Sequence, residues 1–204
     1  MHKHNKGFTL VELIVVLVIL AILAAILIPA LLGYIDRAKE GQDMLNAKNM
    51  LTATQAELTD YYARGDDPRD GRKNDYDVNT TFAKKVRETA DDDPYLVIIG
   101  VGVGDDEDKR KAEHEKYTAY FVAYWETKEK EPLFFNGQEW SMDYPWADGE
   151  SGSNYNYFTV NGERKHLTFI FVANKTGQSN PWNYLQNTIK TNKRNRAPKG
   201  TTKK

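Results

Sequence analysis

Cysteine is absent from the 204-residue chain, so no disulfide can staple it, and an exported domain would have to hold together by its core alone. Proline is scarce, at 7 residues, and only Pro29 interrupts an otherwise helical apolar pattern. Charge of one sign is also missing. The 28 Lys and Arg residues against 29 Asp and Glu leave a net charge of −1, a near-neutral total that hides strong local asymmetry and says little about partners. The four histidines, His2, His4, His114 and His166, have no metal-ligand spacing, and His166 reads as an ordinary strand residue. No nucleophile elbow or serine–lysine motif occurs, which points away from an enzyme.

What the chain does have is one intensely apolar segment at its start. Met1-His2-Lys3-His4-Asn5-Lys6-Gly7 is short and basic, and from Phe8 to Ile35 the only charge is Glu12. A helix needs about 20 apolar residues to cross a bilayer, and this run exceeds that. Lys3 and Lys6 favour a cytoplasmic N-terminus with the remainder exported, although Arg37 and Lys39 lie on the far side. A secretory signal would carry a shorter core followed by a small-residue cleavage site. A plain anchor fits the length but leaves Glu12 unexplained. An acid at a helix centre costs roughly 2.5–3.5 kcal/mol, less near the interface, so it suggests a function. Glu12 lies one helical turn from Phe8 and on the same face.

Lys6-Gly7-Phe8-Thr9-Leu10-Val11-Glu12, with the apolar run and Pro29 behind it, resembles the class III signal of type IV prepilins. The resemblance covers about the first 40 residues. It implies that a prepilin peptidase and N-methyltransferase cuts between Gly7 and Phe8 and methylates the Phe8 amine, so that the apolar helix stays in the mature subunit. It further implies a homopolymer, or a copolymer with other pilins, extracted from membrane lipid by an assembly platform and ATPase. The Glu12 carboxylate would then face a Phe8 amine, which the spacing allows to be its own chain's and which the resemblance implies is a neighbour's. The subunit would begin in the cytoplasmic membrane and end in an extracellular pilus serving adhesion, motility or DNA uptake. Two alternatives stand beside this one: a pseudopilin of a type II secretion or competence apparatus, and a membrane-tethered binding module that never polymerises. Pro29 implies a kink; Ala21 stands where many pilins carry a glycine, a departure from the pattern that allows local unwinding. The missing C-terminal disulfide loop leans toward a Gram-positive-type pilin.

Beyond the apolar run, Met44, Ala47, Leu51, Thr54, Leu58 and Tyr61 recur at steps of three and four, which predicts that the helix continues with one apolar face. From Phe8 to Ala63 it would be about 84 Å long at 1.5 Å per residue. Arg64-Gly65-Asp66-Asp67-Pro68 ends it. Residues 65–94 read as a polar connection with a short helix over Phe82–Thr89, and strands follow. Asn136-Gly137 and Asn161-Gly162 predict hairpins with type I′ turns. The expected fold is α+β: a long N-terminal helix, its first half transmembrane, packed against an antiparallel β-sheet head. The expected segments are a leader (1–7), a membrane or filament-core helix (8–35), its amphipathic continuation (36–63), a connection (64–94), the sheet (95–185) and a basic, disordered tail (186–204).

Other candidates compete with blander readings. Gly100-Val101-Gly102-Val103-Gly104 invites a phosphate-loop reading, but the spacing is wrong and four acids follow, so a mobile loop at a sheet edge is expected. No cofactor is expected. The weak exception is calcium at Asp143, Asp148 and Glu150, since clustered carboxylates can hold it and some pilins do. Asp75-x-Asp77-x-Asn79 begins like an EF-hand loop but lacks its glycine and final glutamate. The tail has Lys193, Arg194 and Arg196 with no acid from residue 190 on, which reads as a solvated segment or, less directly, as a DNA-binding arm.

Overall fold

The computed structural model describes residues 9–69, 76–104, 109–145 and 157–196. The chain divides into two units, Met1–Met44 and Leu45–Lys204, and the first helix, α1 (Leu10–Arg64), contributes to both.

In the first unit α1 is helical without a break through Pro29. From Leu10 to Ile35 every side chain is exposed except Ala24, which is partly covered. A helix that is apolar on all sides has no water-facing side and requires an apolar medium or other helices around it. This one is long and apolar enough to cross a membrane.

In the second unit α1 turns amphipathic, burying Ala47, Met50, Ala53, Thr54, Leu58 and Tyr61. Four of these were expected; Met44 and Leu51 are only partly covered, and Met50 and Ala53 take the central places. The helix ends in a Schellman motif: Gly65 at φ 73° lets its N–H reach Tyr62 O (3.1 Å) while Asp66 N–H reaches Tyr61 O (3.0 Å). Next, α2 (Thr81–Ala90) is capped by the Thr80 hydroxyl, which accepts from Ala83 N at 3.1 Å, and it buries Phe82, Ala83 and Val86. The Tyr61 and Phe82 rings meet edge to face at 5.4 Å.

Six strands follow, with a short helix α3 (Lys109–Glu115) after the first: β1 (Leu96–Gly102), β2 (Ala119–Trp125), β3 (Leu133–Phe135), β4 (Trp140–Ser141), β5 (Tyr157–Val160) and β6 (Glu163–Asn174). They form one antiparallel sheet in the order β4-β3-β2-β1-β6-β5. Both faces of β1 are buried along its length, so the sheet is covered on two sides. On one side lie α1 and α2: Gln55 of α1 donates to Tyr117 O and accepts from Ala119 N at the start of β2, and the Arg87 guanidinium of α2 donates to Val172 O of β6. The other side is filled by Phe121, Phe134, Phe158 and Leu167 together with Trp182 and Leu185 of α4 (Pro181–Arg196). The sheet curls around that filling. Gln138 of the β3–β4 turn donates to Asn161 Oδ1 of the β5–β6 turn, and a Cβ on Gly137 would come within 2.7 Å of Val160 Cγ1.

The α+β layout with a long N-terminal helix is as expected, and three details differ. The β5–β6 turn has positive φ at both Asn161 (53°) and Gly162 (80°), as type I′ requires, whereas in the β3–β4 loop only Gly137 does. There the Asn136 side chain takes over, accepting from Gln138 N and Glu139 N in a four-residue loop. Second, Gly100 and Gly102 of the glycine run belong to the interior strand β1 and not to a loop at a sheet edge; only Val103 and Gly104 lie beyond it. Gly100 gives the Leu167 and Phe121 side chains room, because a Cβ there would lie 3.0 and 3.1 Å from them; at Gly102 it would meet Glu115 O at 2.7 Å. Third, residues 186–196 of the expected disordered tail are helix, because Leu185, Gln186 and Ile189 of α4 pack on the sheet.

Candidate assembly site

The start of α1 is built by its own sequence. Thr9 is the N-cap and Glu12 the third helical residue, the pattern of a capping box. Glu12 Oε2 accepts from both the backbone N–H and the hydroxyl of Thr9, each at 2.8 Å, while Glu12 N–H donates to Thr9 Oγ1 at 3.2 Å. Leu13 N–H closes the first turn on Thr9 O at 3.2 Å. Among the described residues Glu12 Oε1 accepts no bond, so half of the carboxylate is committed to the cap and half is open to an incoming donor. The acid also complements the positive end of the helix dipole. Sequence reasoning treated Thr9 only as part of the motif; the Thr-x-x-Glu spacing was the signal that it also starts the helix.

Gly7 and Phe8 lie outside the described residues. Pro29 is a helical residue of the exposed apolar stretch. Residues 2–28 match the prokaryotic N-terminal methylation motif. That motif is the class III signal peptide of type IV pilins, and the long apolar helix behind it fits such a signal. It points to a structural subunit rather than an enzyme, and to a membrane-anchored precursor. No curated protein and no solved structure matches the chain.

Away from this end, the other candidate residues are not brought together. Asp143 is exposed, and its backbone N–H is held by Ser141 Oγ at 3.2 Å; Asp148 and Glu150 lie outside the described residues. Asp77 accepts from Asn79 N at 2.8 Å, and Asp75 is outside the described set. Among the described residues no three His, Cys, Asp or Glu side chains are grouped to hold a metal. Lys193, Arg194 and Arg196 continue α4 in the backbone, their side chains being outside the described set. The start of this helix was readable: Asn180-Pro181 is an N-cap followed by proline at the first helical position, and Asn180 Oδ1 accepts from Asn183 N at 3.0 Å.

Two polar clusters in the head escaped the sequence reading because their members are far apart in the chain. The Tyr124 hydroxyl contacts both Asp92 Oδ2, at 2.7 Å, and Glu126 Oε2. One phenolic hydrogen serves one carboxylate, so the second acid fits best when it carries its own proton. Burial pushes the Asp92 carboxyl above its ordinary range, and the nearby Glu126 charge adds to this against the hydrogen bond from Tyr124. Burial and the two acids likewise push the Tyr124 hydroxyl well up. The second cluster is the ion pair of Lys165 (8% exposed) with Glu115 (5% exposed) at 2.8 Å, extended to Glu163 at 2.7 Å. Burial opposes the charge on Lys165, but the bonds to Glu115 and Glu163 outweigh it and raise its pKa. Asp92 is half-buried and Glu115 buried in the head.

Proposed function

We propose that the chain is the structural subunit of a type IV pilus-like filament. The precursor is cut between Gly7 and Phe8, the Phe8 amine is N-methylated, and subunits leaving the membrane bundle their apolar helices into a filament core. The observation that carries this reading is a helix exposed and apolar on every side from Leu10 to Ile35 with one carboxylate, Glu12, held in its first turn. Moving such a helix from lipid to a helical bundle exchanges one apolar medium for another, so burial alone selects no register. An acid among apolar helices is strongly disfavoured unless it meets a cation. The Phe8 ammonium of a neighbouring subunit supplies that cation, and Glu12 Oε1 is the acceptor that the cap leaves open. The head, with its own core, forms the filament surface.

The test is mass spectrometry of the N-terminus of material sheared from the cell surface. The expected product begins at Phe8 and carries one added methyl group. A product that still bears Met1 to Gly7, or one trimmed beyond the apolar run, overturns the polymer reading.

A further inference from the structure

The outward side of α4 and the loop before it enclose an open cavity of about 490 Å³, whose wall includes Gln178, Asn183, Tyr184, Asn187, Thr188 and Thr191. Among the described residues its lining side chains are amides, hydroxyls and a phenol, and none is charged. Asn183 and Asn187 are exposed and one helical turn apart, and their carboxamides make no hydrogen bond to another described residue. Asparagine is a poorer helix former than the alanine, lysine or glutamate that an exposed helix position ordinarily takes. Nothing in the fold accounts for two of them here.

The remaining wall is held in place. The Tyr184 ring stacks on Trp125 at 5.9 Å, and its hydroxyl accepts from Tyr95 at 3.2 Å. Thr188 and Thr191 donate to the carbonyls of Tyr184 and Asn187, at 2.9 and 2.8 Å, which turns their oxygen lone pairs outward as acceptors. Little order remains to be imposed when a ligand enters. A carboxamide presents a donor and an acceptor side by side, matching adjacent hydroxyls of a sugar ring, and a fixed aromatic edge beside them suits the ring's apolar face.

We propose that this groove binds a neutral oligosaccharide. A nucleic acid or an acidic polysaccharide would need cations along the wall, and among its described side chains there are none. The site stands apart from the filament reading, since a chain left uncut at Gly7 would still carry it. The test uses the full chain in detergent micelles, titrated with chitotriose, cellotriose and maltotriose while the fluorescence of Trp125 and its neighbours is followed. At least one trisaccharide should bind saturably, with a dissociation constant of about 1 mM or below and no dependence on salt. The variant N183A/N187A, which keeps or raises helix content by circular dichroism, should bind it about tenfold or more weakly, the loss expected for two hydrogen bonds. No saturable binding of any of the three, or equal binding by the variant, overturns the proposal. So does salt-sensitive binding of a DNA duplex that the same variant abolishes, which would make the groove a nucleic-acid surface.

Discussion

At the scale of single residues, Glu12 caps its helix, and the proposed filament gives it a second job that mutation can separate from the first. Glutamine preserves the acceptor that a capping box needs but removes the charge. Glu12→Gln should therefore be processed normally and fail to polymerise, as should Glu12→Ala; processed fraction and filament yield from the same cells decide this. Filaments at the normal level from Glu12→Gln would remove the ion pair from the account. Asp92 gives a second prediction. A carboxyl whose folded pKa is raised binds its proton more tightly in the native state, so its contribution is fully present below the unfolded value and lost as pH rises through the folded one. Raising the pH from about 4 to about 7 should lower the wild-type melting temperature relative to Asp92→Asn, whose amide has no proton to lose. Parallel curves for the two proteins would mean that Asp92 shares no proton with Tyr124 and Glu126. The Lys165–Glu115 pair gives a third. Lys165→Met leaves a carboxylate buried without its partner and should cost about 3–5 kcal/mol, and adding Glu115→Leu should recover most of the loss in urea melts.

At the scale of elements, α4 is the clearest departure from expectation. Its charged C-terminal half dominates the composition, and the apolar positions Trp182, Leu185 and Ile189 are too few to stand out beside it. They have nothing to pack on until β1, β2 and β6 have formed a surface carrying Phe121, Phe169 and Trp125. Phe169 and Trp182 stack at 4.6 Å, and Leu185 is wholly buried. Leu185→Ala should therefore destabilise the head by about 2–5 kcal/mol, read as a lower urea midpoint. A helix that did not pack on the sheet would show no change. The hairpins teach the converse: Asn161-Gly162 makes its turn from backbone preference alone, while Asn136-Gly137 has the same letters in a loop closed by a side chain.

At the scale of the molecule, the division into two units matches the division of chemistry. Every buried side chain among the described residues lies at Ala47 or beyond, and the membrane-length stretch contributes none. A protein of residues 45–204 should thus remain soluble without detergent and unfold in one cooperative transition, as calorimetry would show. Precipitation or a broad, non-cooperative melt would mean that the head needs the first unit for its stability.

The sequence by itself determined the N-terminal end, because a methylation motif, a lone acid and an apolar run are each written in neighbouring residues. It also determined where α1 turns amphipathic and where Gly65 stops it, since those depend on local spacing and on one residue's freedom to adopt positive φ. Tertiary structure decided the rest. Only the folded sheet places Asp92 beside Glu126, and Glu115 beside Lys165, across dozens of residues. Only close packing reveals that Gly100 and Gly102 make room for Leu167 and Glu115. Only the aromatic surface of the sheet turns a basic tail into a helix. Local preferences are written in adjacent residues, whereas burial depends on partners that adjacency does not disclose.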